Sequence, residues 1–252
     1  PVPVDVLSAE DISKTGTDDL LMQLQGSIPS LNVHLQPISD AASMIRPANL
    51  RGLSADSTLI TTNGKRRHHA SVIAFQGGGV NDGSQGADIS VIPAIALKRV
   101  EVLRDGASAQ YGSDAIAGVI NFVLDDISEG GSLSYKMGEY TEGDGATTTI
   151  AGKYGMPLGQ DGFVTTSFQI RQADDTSRSL QRPDAAALIA AGNSAVATPA
   201  QIWGAPKIDD DVTFFMNAGV TNSDGSESYM FGNYSERDVD GGFYYRNPDG
   251  RS

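Results

Sequence analysis

RVEVLRDGASAQYGSDAIAGVINFVL, residues 99–124, decides the fold of the first half of this chain. Two apolar, β-branched runs, Arg99–Arg104 and Ala115–Leu124, stand on either side of an Asp-Gly turn and a glycine-rich link; each reads as a strand, the second one buried. Gly106, Gly112 and Gly118 fall where the backbone must turn sharply or approach another surface. Toward the N-terminus, Val2, Val4 and Val6 alternate as a short strand, and Ser8 with Asp11 makes a capping-box start to a helix that Gly16 stops. Thr17 is placed to cap a second helix over DDLLMQLQ, whose Asp18 and Asp19 suit a helix N-terminus, with Gly26 and Pro29 ending it. Leu31, Val33 and Leu35 alternate again, and Leu59 to Thr62 runs into the hairpin signal Asn63-Gly64. Residues 71–88 are glycine-rich and polar, a long loop of the kind that is more often functional than idle.

Toward the C-terminus the composition changes at DDISEGG, near residue 128. Of the 17 aromatics only Phe75, Tyr111 and Phe122 precede Ser128, so the later part is built differently. Alternation with a period of two is its main signal. Val164, Thr166, Phe168 and Ile170 share one parity, against Thr165, Ser167, Gln169 and Arg171. The same split sets Leu133, Tyr135 and Met137 against Ser132, Ser134 and Lys136, and Ile150, Tyr154 and Met156 against Thr149, Ala151 and Lys153. It recurs with Val212, Phe214, Met216, Ala218 and Val220 against Thr213, Asn217 and Gly219, broken only by Phe215. A fifth strand, Ser228 to Arg237, mixes its parities. PLGQDG and NSDGSE are tight turns, whereas 178–209 is a long excursion with three prolines. A membrane barrel alternates short and long connections in this way. Alternation by itself favours a soluble β-sandwich with one wet face.

The chain has 252 residues, with 18 Lys and Arg against 31 Asp and Glu, a net charge of −13. That balance argues against a phosphate-tracking nucleic-acid binder. The absence of Cys removes disulfides, cysteine-ligated metals and thiol nucleophiles. No apolar run of about 18 residues offers a transmembrane helix, and the opening PVPVDVLSAED lacks the features of a signal peptide. Gly77, Gly78, Gly79 and Gly83 miss the dinucleotide fingerprint because Asp82 stands where glycine is needed, and no P-loop occurs. Ser108 fails the nucleophile elbow at Gln110. Asp209, Asp210 and Asp211 lack the spacing of a calcium loop and read as a charged loop edge. Nothing nominates a catalytic residue, a metal site or a cofactor, and an enzyme is not expected.

Four blocks tip the balance to the barrel. RVEVLRDGASAQYGSDAIAGVINFVL resembles the C-terminal signature of the plug domain of TonB-dependent outer-membrane receptors, and LRGLSADSTLITTNGKRRH (50–68) its middle motif. VPVDVLSAEDI (2–12) and LLMQLQGSIPSLNV (20–33) are similar to its opening strand and helix. The resemblance implies an α+β plug domain over residues 1–127, then, over 128–252, the first five strands of an antiparallel transmembrane β-barrel that five strands cannot close. It implies an outer-membrane receptor for energised uptake of a scarce ligand of the ferric siderophore, cobalamin or glycan class. TonB would be the partner, through an N-terminal box that is absent from this chain or lies upstream. The rival class is a soluble β-rich adhesin or carbohydrate-binding module.

The resemblance also implies site residues. Arg51 and Arg104 would face the barrel wall and pair with glutamates on strands beyond Ser252; solvated surface arginines are the plain alternative. Gly52, Gly106, Gly112 and Gly118 would be structural glycines. Lys65, Arg66, Arg67, His68 and His69 form the one basic cluster and, with Gln76, lie in the polar loop 65–88. A second polar loop spans 37–48. In the family's arrangement the cluster would sit near the outward apical loops and contact an anionic ligand; a solvated turn is the plainer reading. Val164, Phe168, Ile170, Phe214 and Met216 would face lipid, and Gln169, Arg171 and Asn217 the lumen or plug.

Overall fold

The computed structural model describes residues 4–17, 19–33, 42–74, 79–242 and 244–248. The first part runs β1 (Val4–Ser8), α1 (Ala9–Ser13), α2 (Leu20–Ser27), β2 (Leu31–Val33), α3 (Ala42–Ile45), β3 (Ala48–Leu50), β4 (Thr58–Thr62), β5 (Lys65–Arg66), β6 (Leu97–Leu103), α4 (Ser108–Tyr111) and β7 (Gly118–Leu124). The second runs β8 (Gly131–Gly138), β9 (Thr147–Pro157), β10 (Gly162–Ala173), α5 (Pro183–Ala190), β11 (Lys207–Thr221) and β12 (Glu227–Asp240). Among the described residues no helix is long and apolar enough to cross a membrane.

Local chemistry explains most starts and stops. Ser8 and Asp11 complete a reciprocal capping box at α1. The cap of α2 is Asp19 rather than Thr17: Asp19 accepts the Met22 N–H at 3.2 Å, while the Thr17 hydroxyl is taken by the Asp19 N–H. Asn63 and Gly64 both adopt positive φ, 48° and 73°, as a two-residue hairpin turn between β4 and β5 requires. Gly118 opens β7 at φ 149°, where a Cβ would lie 2.1 Å from the Leu103 carbonyl oxygen. The run expected from Ala115 therefore becomes a strand only at Gly118, after a short 3-10 turn at Ser113–Ala115.

The two signature runs pair with each other. β6 and β7 lie at the centre of a sheet ordered β1-β6-β7-β4-β5, antiparallel except for the parallel pair β4 and β7. α1 and α2 cover one face and bury Ile12, Leu21, Leu24 and Ile28 with Leu97, Val100, Ile120 and Phe122. The second part is a single meander ordered β12-β11-β10-β9-β8, antiparallel throughout. Its connections are short at 158–161 and 222–226 and long at 139–146 and 174–206. The long excursion ends before Lys207, so Asp209, Asp210 and Asp211 lie within β11 and not on a loop edge.

The two faces of this wall differ. Leu133 (76% exposed), Met137 (73%), Tyr135, Phe168, Ile170, Val212, Phe214 and Tyr234 project from one face into the surroundings. Thr149, Ala151, Thr165, Ser167, Thr213, Phe215 and Asn217 on the other face are buried against the N-terminal sheet. Phe215, which spoils the alternation of β11, is 2% exposed and joins the apolar core of the first part, with Phe231 of β12 packed beside it. The mixed parity of β12 has the same cause, since Phe231 serves the seam while Met230 and Tyr234 serve the outer face.

Candidate functional site at the seam between the two sheets

The basic cluster does not converge on one point. Lys65 lies 5.9 Å over the ring of Tyr229, and the preceding Asn63 side chain donates to Asn217 Oδ1 at 3.3 Å. Both contacts fall on the halves of β11 and β12 next to the short turn 222–226, not at the end with the long connections. Arg66 pairs with Asp114 and donates to the Tyr111 carbonyl at 3.1 Å. Arg67 is buried, donates through Nε to the Asp88 carbonyl at 2.9 Å, and has its basicity lowered by burial. His68 and His69 stay exposed, and His69 bridges to Ala87. A shallow cleft beside this row is lined by Asp56, Arg66, Arg67, His69 and Asp114, so it carries both signs of charge. Gln76 lies outside the described residues, as do positions 37–41 of the polar loop 37–48. The cluster is thus a hairpin held to its own half of the chain, because Arg66 and Arg67 both find their partners there.

Arg51 is exposed at φ 57°, with its N–H donating to the Ser30 carbonyl at 2.8 Å. Arg104 pairs with Asp5 of β1, Nε to Oδ2 at 2.5 Å. The carboxylate that Arg104 meets among the described residues therefore belongs to its own sheet. Gly52 and Gly112 hold positive φ, whereas at Gly106 φ is not left-handed and a Cβ would meet only Ile116 O at an ordinary 3.6 Å. No local need for glycine exists at Gly106.

The seam itself holds polar groups in two sets. At the first, where the chain passes from β7 to β8, Asp125 pairs with Lys153 of β9 and its carbonyl accepts from Asn217 Nδ2 at 3.0 Å. Asn63 Oδ1 accepts the Leu124 N–H at 2.8 Å, and the Thr165 hydroxyl donates to the Ile127 carbonyl at 2.8 Å. The Ile127 backbone comes so close to Gly155 that a Cβ there would be 2.4 Å from the carbonyl oxygen.

The second set lies further along the strands. Arg171, Asp211 and Arg237 stand directly opposite one another on β10, β11 and β12. Arg237 donates to Asp211 Oδ2 from Nε at 2.9 Å and lies 2.7 Å from it through Nη2. The same guanidinium crosses the seam to Ser90 Oγ at 3.0 Å, the Ser90 carbonyl at 3.2 Å and the Met44 carbonyl at 3.3 Å. Beside it Arg46 pairs with Asp19 at 2.5 Å. Burial alone would raise the Asp19 carboxyl, but the Arg46 and Arg171 cations outweigh it and hold it below the ordinary range. None of Asp125, Lys153, Asp211 and Arg237 was nominated as a site residue from sequence. A charged side chain on the parity otherwise carrying Thr, Ser and Ala was the signal available.

At the long-connection end, 139–146 and 174–206 interlock. Arg178 meets Asp144 at 2.7 Å and Glu142 at 3.3 Å, and Asp174 N donates to the Ala146 carbonyl at 2.8 Å. Trp203 N donates to Ser179 Oγ at 2.7 Å, and Arg182 lies 5.3 Å over the ring of Tyr245.

Residues 1–119 match the model of the TonB-dependent Receptor Plug Domain. Over 120 residues the chain is 32% identical to a ferric enterobactin receptor of Pseudomonas aeruginosa, across 48% of this chain and 16% of that protein. It is 31% identical to the ferric enterobactin receptor PirA of the same organism, with the same coverage. Among solved structures, a mutant ferric enterobactin receptor from P. aeruginosa in complex with enterobactin superposes with a TM-score of 0.70 at 20% identity, over 95% of this chain and 34% of that one. The siderophore receptor PirA from Acinetobacter baumannii superposes with a TM-score of 0.63 at 20% identity, over 96% and 32%. These superpositions show a shared fold across both halves, and the chain spans about a third of those receptors' length.

Proposed function

We propose that this chain, a TonB-dependent receptor plug domain followed by antiparallel strands of a barrel that is not closed within it, works in an outer-membrane receptor for uptake of a ferric siderophore. Residues 1–127 are assigned to the plug and 128–252 to the opening part of the barrel. The observation that carries this reading is the inverted polarity of the wall. Its outer face exposes Leu133, Tyr135, Met137, Phe168, Ile170 and Phe214, and its inner face is polar and occupied by a folded α+β unit. A soluble adhesin would leave that apolar face in water, which monomeric proteins avoid; hydrocarbon welcomes it. Short turns then face the periplasm and long connections the outside. TonB is the proposed energising partner.

The siderophore class is favoured over cobalamin or glycan by the relatives' names. In this reading the ligand first meets the interlocked loops 139–146 and 174–206, and the hairpin 63–69 lies too near the short-turn end to be its first contact. The test is expression of the full-length receptor in a siderophore-deficient strain, with uptake of iron-55-labelled ferric enterobactin measured with and without TonB. TonB-dependent uptake, with the protein in the outer-membrane fraction, is expected. A soluble protein, or one that never takes up any ferric siderophore, overturns the reading.

A further inference from the structure

We infer that Asn63-Gly64 is a covalent modification site, a spontaneously deamidating dipeptide that the seated plug masks through Asn121 and Asn217. It is the one Asn-Gly pair in the chain. Asparagine is a chemically labile residue, and glycine after it leaves no side chain to hinder ring closure. In this reaction the Gly64 nitrogen attacks Asn63 Cγ and closes a succinimide ring, while Nδ2 departs as ammonia with the proton that Gly64 gives up. Water then opens the ring. Cleavage at Cγ leaves aspartate at position 63, and cleavage at the main-chain carbonyl leaves isoaspartate. No oxidant, reductant or metal takes part.

The structure engages each reacting group elsewhere. The Gly64 N–H donates to Asn121 Oδ1 at 2.9 Å. Asn63 Oδ1 accepts the Leu124 N–H at 2.8 Å and Nδ2 donates to Asn217 Oδ1 at 3.3 Å, so the side-chain amide is pinned at both ends. Asn121 is itself fixed, since Thr61 Oγ1 donates to the same Oδ1 at 2.8 Å and Nδ2 donates to Glu101 Oε2 at 2.9 Å. The ring closes only when the Asn63 side chain turns onto its own main chain and the Gly64 N–H is released, a local opening that breaks these bonds. One of them comes from the wall: Asn217 is buried on β11, with its Nδ2 on the Asp125 carbonyl at 3.0 Å. The plug's own fold thus supplies the locks at Gly64 N and Asn63 Oδ1, and seating against the wall adds the third. The product does not restore it, because a carboxylate at position 63 has no N–H for Asn217 Oδ1 and sets acceptor against acceptor. Ligand and uptake play no part in this chemistry.

The experiment incubates the purified full-length receptor, assembled in detergent micelles or unfolded in urea, in mildly alkaline buffer and follows deamidation by peptide mass spectrometry. Asn193-Ser194, in the long 174–206 excursion away from the seam, is the internal reference. Unfolding should accelerate position 63 by at least about tenfold more than position 193, the scale of one net hydrogen bond. In the assembled receptor Asn217→Ala should speed deamidation at position 63 by about tenfold and leave position 193 unchanged, and Asn121→Ala should do the same. Asn63→Asp, which installs one hydrolysis product, should unfold at lower urea than wild type. Equal acceleration of positions 63 and 193 on unfolding overturns the inference, as does a rate at position 63 that Asn217→Ala does not move; an equal urea midpoint for Asn63→Asp overturns the acceptor clash. The first comparison needs no substitution, so it stands if a variant fails to assemble. Failure of uptake in the preceding experiment would leave these rates untouched.

Discussion

The plug sheet and the strand wall obey opposite rules with the same amino acids. In the plug, Phe122, Ile120 and Val100 are fully buried; in the wall, Phe168, Ile170 and Phe214 point outward while Thr165, Ser167 and Asn217 are buried. An apolar side chain does not specify inside. It specifies the absence of water, which the plug creates by packing and which, in the function proposed above, the wall would find in hydrocarbon. Phe215 is the instructive exception, since it belongs to a wall strand but is buried by the plug's rule.

Four measurements probe this contrast. The largest effect is expected inside the plug: Phe122→Ala removes a fully buried ring from the core and should cost about 3–5 kcal/mol in urea unfolding of the full-length receptor. On the wall, Phe168→Arg places a cation on the lipid face and uncovers Gly152, against which the ring lies. It should cost about 2–4 kcal/mol near the bilayer midplane, read as lost heat-modifiable barrel on gels, whereas Gln169→Arg on the inner face should assemble normally. Equal damage from the two would mean that the faces are assigned wrongly.

A smaller, pH-dependent effect is expected at the seam. The Asp19 carboxyl is held below its unfolded value, so between the two values the unfolded state binds more protons and stability rises with pH. The contribution is complete above the ordinary carboxylate value of about 3.9 and fades as the pH falls toward the folded value. Asp19→Asn should flatten that part of an acid-unfolding curve followed by tryptophan fluorescence. The smallest effect is expected at Gly106→Ala, within about 0.5 kcal/mol of wild type by the same unfolding assay, because the residue is neither left-handed nor crowded. A large loss there would restore the reading of Gly106 as a structural glycine.

The elements were legible from sequence wherever a few neighbouring residues decide the backbone. Ser8 with Asp11, the Asn63-Gly64 turn, the β-branched run ending at Leu124 and the period-two wall strands all carry their conformation in local chemistry, and the structure has them. The α2 cap is ambiguous in sequence because Thr17 and Asp19 both suit the role; only the chain's path before Leu20 gives it to Asp19. The basic row was legible as a cluster of charge but not as a place. Its chemistry was visible in five consecutive letters, whereas its position beside Tyr229 depends on how two sheets meet.

What the sequence by itself determined is the kind of each element and the order of the plug motifs, since turn, cap and alternation energies act over a few residues. Only the tertiary structure decided that Asp211 holds Arg237, that Arg237 reaches Ser90 across 147 positions of chain, and that Asp125 meets Lys153. Those pairings follow from the register of β10, β11 and β12 and from the seating of the plug against them. A charged residue in a strand carries no mark of its distant partner, because the partner is chosen by the packing of two surfaces that neither residue specifies alone.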